Sequence, residues 1–102
     1  MKVRLSVAAV VVSATALAAP VHADPVDAQF LQNIRNGLGR EIPDERGTID
    51  YAHSLCSEMQ QGKSYDRVVM EVRQAEDYWD ANEAAFFVSA SAQAYCPEVI
   101  AG

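Results

Sequence analysis

DANEAAFFVSASAQAYCP, residues 80–97, is the stretch that decides the fold class. Asp80 followed by Glu83 fits a helix capping box, with Asp in place of the usual Ser or Thr. Behind it, Ala84, Phe87, Val88, Ser91, Ala94 and Tyr95 recur at helical spacing and define one buried face. The many small residues between Ala84 and Ala94 would let a neighbouring helix approach closely. Pro97 stops the helix just past Cys96, because it has no N–H to give and its ring obstructs the preceding turn. Neither here nor elsewhere is there sustained period-two alternation or an Asn-Gly turn, so no sheet is expected.

Working towards the N-terminus, Gln74–Trp79 breaks the pattern, and Tyr65, Val68, Val69 and Val72 form the stripe of a preceding helix capped by Ser64. Before that, Ile49, Ala52, Leu55, Cys56 and Met59 gather on about 120° of a helical wheel. This helix is expected from Thr48, as cap, to Gln61, with Gly62 as its stop. Arg40–Gly47, with Pro43 and several charges, reads as a solvated connection. The first helix starts at Asp24-Pro25, carries Val26, Phe30, Leu31, Ile34 and Leu38, and is expected to end at Gly37 and Gly39. Together these give an all-α fold: a small four-helix orthogonal bundle over residues 24–102.

Residues 1–23 read differently. Lys2 and Arg4 precede an apolar run, Leu5–Ala19, then Pro20 and a Val21-His22-Ala23 tripeptide. That is the layout of a cleavable signal peptide. The run of about 15–17 residues is shorter than the roughly 20 needed to span a bilayer, and no later segment is apolar enough to do so. The chain is therefore expected to be exported, either secreted or held in the cell envelope. The 102 residues carry 8 basic and 14 acidic side chains, a net charge of −6. Without residues 1–23, which carry Lys2 and Arg4, 79 residues remain with 6 basic and 14 acidic groups, a net charge of −8. Such a surface cannot neutralise phosphates, which excludes non-specific nucleic-acid binding and electrostatic docking to anionic lipid. It also argues against reading the two helices around Gly62-Lys63-Ser64 as a DNA-binding helix-turn-helix.

Cys56 and Cys96 are the only cysteines. In an oxidising compartment such a pair is expected to be bridged. Closing a loop of about 41 residues would destabilise the unfolded chain by roughly 4 kcal/mol on the chain-entropy model. The competing reading is metal ligation, with His53 and Cys56 three apart on a helical turn. A structural zinc site wants four N or S ligands, and His53 is the only histidine after Ala23. Glu76, Asp77, Asp80 and Glu83 crowd one segment, but Tyr78-Trp79 stands where a calcium loop would place a central glycine. No metal and no cofactor is expected.

Several of these features occur together in one family. Asp27-Ala28-Gln29-Phe30-Leu31 with Ile34 and Gly37, then Ala52 four before Cys56, Gly62-Lys63-Ser64, Phe87-Val88, and finally Ala94-Tyr95-Cys96-Pro97 resemble the domain of unknown function 732 family. Its members are small exported proteins of mycobacteria and their relatives. The resemblance spans about Asp27–Pro97. It departs where members often have a Gly-Leu type turn and this chain has Asp77-Tyr78-Trp79. The resemblance implies a small helical domain with paired cysteines, and it supplies no activity, substrate or catalytic residue.

Nucleophilic catalysis needs a nucleophile, a base and an orienting group converging in space. With one histidine and both cysteines expected in a bridge, no catalytic residue is assigned, and the protein is expected not to be an enzyme. The expected role is a binding module. Trp79 and Phe86, seven apart, with adjoining Tyr78, would form an exposed aromatic patch with an acidic rim, suited to a protein or a small amphiphile. Against this stands the plainer reading, which the sequence favours: Trp79 packs as a staple at the helix entry and helps fill a thin core. The alternative function is a small enzyme, or an accessory or inhibitor of one, built around His53 and nearby carboxylates. An oligomeric structural component of the envelope is also compatible with the sequence.

Overall fold

A computed structural model describes residues 24–77 and 79–101. The stretch read as an export signal, residues 1–23, lies outside the described residues. Those that are described form five helices and no strand: α1 Pro25–Leu38, α2 Glu45–Gln60, α3 Tyr65–Ala75, α4 Ala81–Tyr95 and α5 Glu98–Ala101. The all-α expectation holds. The expected helix count of four is corrected to five, because a further turn, α5, forms beyond Pro97.

Helix α4 is the central element and packs against α1, α2 and α3. Its capping box is present in full: the Asp80 carboxylate accepts from Glu83 N–H at 2.8 Å, and Glu83 accepts from Asp80 N–H at 3.0 Å. Ala84, Ala90, Ser91 and Ala92 are buried along with Phe87 and Val88. Small side chains on the inner face thus bring three neighbouring helices close to one axis. The buried Ser91 hydroxyl donates to the Phe87 carbonyl at 2.8 Å, so its polar group is satisfied within the helix. Ala94 and Tyr95, expected on the buried face, are half-buried.

Helix α2 buries Ile49, Ala52, Leu55, Cys56 and Met59, as the wheel requires. Its start differs from the expected one. Asp44, not Thr48, is the cap: its carboxylate accepts from Gly47 N–H at 2.9 Å, and the Thr48 hydroxyl donates back to the Asp44 carbonyl. Pro43 sits just before Asp44, so part of the segment read as a loop is the first turn of the helix. At the other end, Lys63 N–H reaches the Glu58 carbonyl and Gly62 N–H the Met59 carbonyl, the paired bonds of a Schellman stop. Lys63 also pairs with Glu58 at 2.9 Å and Glu71 at 2.6 Å, clipping α2 to α3. Ser64 caps α3, whose Val68 and Val72 are buried.

Helix α1 buries Phe30, Leu31 and Ile34, whereas Val26, at its open end, is 46 % exposed. Gly37 does not end the helix. It admits the ring of Phe86, whose Cζ would stand 2.0 Å from a β-carbon at that position. The chain reverses at Gly39, which is left-handed at φ +66° and donates to the Arg35 carbonyl.

Cys56 and Cys96 are bonded, joining the middle of α2 to the end of α4, with Cα atoms 5.8 Å apart. Both are buried, so the sulfurs are spent on each other and not open as metal ligands. After Pro97, α5 is tied back to α2 by Gln60, which donates to Glu98 at 2.7 Å.

Candidate functional site

The residues 39–44 between α1 and α2 form a strap over one end of the bundle. Its two ends are fixed by charge. Arg35 and Glu45 pair across the helix termini at its base. Arg40 turns back onto α4, where it pairs with Glu83 at 2.7 Å and its guanidinium carbon lies 5.8 Å from the centre of the Trp79 ring. Glu83 therefore serves both the α4 cap and the strap.

Beneath the strap is a cavity of about 200 Å³. Ile34 and Leu38 of α1 form one wall, Ile42 and Pro43 of the strap the roof, and Tyr51, Trp79 and Phe87 the aromatic remainder. Phe87 is the common neighbour: Tyr51 stacks on it at 5.5 Å between ring centres, and Trp79 leans on it at 5.4 Å. Polar groups gather at the rim, where Arg40, Glu41, Thr48 and Glu76 complete the lining. The charge of Arg40 is answered by Glu83. Among the described residues, Glu41 and Glu76 have no ion-pair partner and the Tyr51 hydroxyl has no hydrogen-bond partner. Burial, and then the nearby Glu76 carboxylate, push the Tyr51 hydroxyl above the usual tyrosine range, so it stays protonated at neutral pH.

Two residues of the expected aromatic patch, Trp79 and Phe86, line different hollows. Trp79 is half-buried in the strap cavity. Phe86, also half-buried, lies over Gly37 and lines a different surface hollow with Asn33 and Gln93. Tyr78 lies outside the described residues. Nothing in the sequence marks Tyr51 or Glu41 as a site residue, and Glu76 stands out only as one of four crowded carboxylates. Tyr51 is an aromatic beside the α2 apolar stripe, but no local spacing links it to Trp79.

His53 is exposed on α2, and its ring centre is 4.0 Å from that of Tyr95. The Tyr95 hydroxyl donates to Asp27 at 2.5 Å. The Ser54 hydroxyl donates to the Tyr51 carbonyl, and Ser57 accepts from Gln61, so both bond elsewhere than to His53. His53 is not part of the strap cavity's lining. Among the described residues there is no group of three or more His, Cys, Asp or Glu placed to hold a metal ion, and no helix is long and apolar enough to cross a membrane.

The Tyr95–Asp27 bond has a measurable pH consequence. Burial, and then Asp27, raise the Tyr95 pKa above its ordinary value of 10.0. A raised folded-state value means the contribution is intact below about pH 10 and is lost as pH rises toward the folded value. The loss from this residue approaches about 1.4 kcal/mol per pH unit in that window. Tyr95→Phe is expected to cost about 1 kcal/mol at pH 7 and to lose less further stability than the parent between pH 9 and 11. Urea midpoints at the two pH values check this, and equal alkaline losses in both proteins would refute it.

A family model described as protein of unknown function (DUF732) matches residues 26–98. No curated protein and no solved structure matches the chain.

Proposed function

The chain belongs to the DUF732 family, and from that premise we propose that it is an exported, non-enzymatic binding domain whose strap cavity holds a small amphiphile. The observation that carries this reading is the cavity itself. Its lining is mostly apolar and aromatic, it includes two carboxylates, Glu41 and Glu76, with no ion-pair partner among the described residues, and its roof is anchored by ion pairs, the usual make-up of a preformed ligand site. The sequence of residues 1–23 and the Cys56–Cys96 bond favour an oxidising compartment outside the cytosol. A small enzyme built around His53 draws less support. Its ring packs on Tyr95, away from a cavity where a substrate would sit.

The test is a fragment titration followed by NMR on protein collected after export, whose N-terminus is expected to be Asp24. Small amphiphiles should shift the Trp79 indole and Tyr51 ring signals together, with little change around Phe86 and His53. An absence of shifts at Trp79 and Tyr51 at millimolar fragment, or shifts centred on His53, would overturn the binding-site reading. Recovery of the intact residue 1–23 segment on exported protein would overturn the cleavage.

A further inference from the structure

Resting on the reading of the strap cavity as a binding site, we propose that its ligand is a small hydrophobic cation: a protonated amine carrying one ring or a short apolar body. Size comes first. A cavity of roughly 150 Å³ holds benzene, so about 200 Å³ suits a single ring with a short arm. Charge comes second. Arg40 is the one cation of the lining, and it is engaged by Glu83 and by the face of Trp79. This leaves Glu41 and Glu76 at the rim with no cationic partner among the described residues. An anionic ligand would meet two carboxylates and an arginine already paired. A neutral ligand would gain nothing from either carboxylate.

The third argument is the aromatic wall. The faces of Tyr51 and Trp79 carry the negative side of the ring quadrupole, which attracts cations at close range. Arg40 above Trp79 shows that a cation already uses this ring. The Tyr51 hydroxyl, without a protein partner among the described residues, has lone pairs free to accept an ammonium N–H. An ammonium group seated between Tyr51 and Glu76 would place its apolar body against Ile34, Leu38 and Phe87. The net charge of −8 on residues 24–102 would add long-range attraction for such a ligand.

Three probes of one shape and different charge test this: 2-phenylethylammonium, 2-phenylethanol and phenylacetate, titrated by NMR into the exported, disulfide-bonded protein at pH 7. The cation is expected to bind at least tenfold more tightly than the alcohol, with phenylacetate weakest, and the preference should shrink as salt is raised. In the Glu41→Gln/Glu76→Gln variant, with folding verified by its melting curve, the preference should fall below about threefold while the alcohol binds as before. If the alcohol equals the cation, with shifts at Trp79 and Tyr51, the cavity is a binding site and the cation inference fails. If phenylacetate binds most tightly, Arg40 is the selecting group and the inference also fails. If none of the three shifts Trp79 or Tyr51, both readings fall.

Discussion

Replacing both cysteines, Cys56→Ala/Cys96→Ala, is expected to lower the unfolding free energy by about 2–5 kcal/mol, the range for removing a native disulfide from a small secreted domain. The bond spans 40 residues of sequence, and the chain-entropy model gives about 4 kcal/mol for a loop of that size. The loop holds α3 and all of α4, so the unlinked unfolded chain regains freedom over about half the domain. A domain of this length has a single thin core, and its net stability without a staple is typically only about 3–5 kcal/mol. The loss is therefore comparable to what remains. Alanine is the better replacement, because it removes the link without placing a new polar group in the core. Both sulfurs are buried, Cys56 3 % exposed and Cys96 fully covered. Reductant should therefore act through opened molecules, and thiol reagents should label neither residue of the native protein. Urea unfolding of parent, reduced parent and double variant checks the effect. Equal midpoints for oxidised and reduced protein would overturn it.

The features legible in the sequence are those encoded within one or two helical turns. Asp80 and Glu83 satisfy each other's backbone three residues apart, so the start of α4 is visible locally. Ile49, Ala52, Leu55, Cys56 and Met59 form a stripe because the helix period is local as well. The start of α2 is not legible locally, because Thr48 is also a good cap and because Pro43 and the charges around it mask Asp44, whose carboxylate takes the Gly47 N–H. Helix α5 has four residues, too few to show a period, and it is held by a contact from Gln60 on another helix. The site is still less local. Trp79 could be singled out from the sequence, but the residues that share its cavity, Ile34, Leu38, Tyr51 and Phe87, come from three different helices. Phe86 was grouped with it by helical spacing. The close approach allowed by Gly37 instead draws Phe86 over α1, while Trp79 faces the strap. Spacing along one helix cannot encode which neighbour each face will meet.

Phe87 is where the core and the cavity share one side chain, and Phe87→Ala is expected to cost about 3–5 kcal/mol, as aromatic truncations in cores do. The ring is 1 % exposed. It meets Phe30 edge-on at 5.9 Å, stacks with Tyr51 at 5.5 Å and supports Trp79 at 5.4 Å. Each such pair is worth about 0.5–1.5 kcal/mol beyond burial, so the loss combines a void with three broken ring contacts. The same void opens into the strap cavity and removes the wall that sets the distance between Tyr51 and Trp79. Phe87→Leu separates these two consequences. Leucine keeps most of the buried volume and should cost less than the alanine change, but it offers neither Tyr51 nor Trp79 a ring to pack on. The leucine variant should therefore stay folded while its Trp79 emission moves to longer wavelength and its affinity for an aromatic amphiphile drops by tenfold or more. Urea midpoints with Trp79 fluorescence measure the stability arm, and titration measures the binding arm. A leucine variant with unchanged Trp79 emission and unchanged affinity would show that Phe87 holds the bundle together without shaping the cavity.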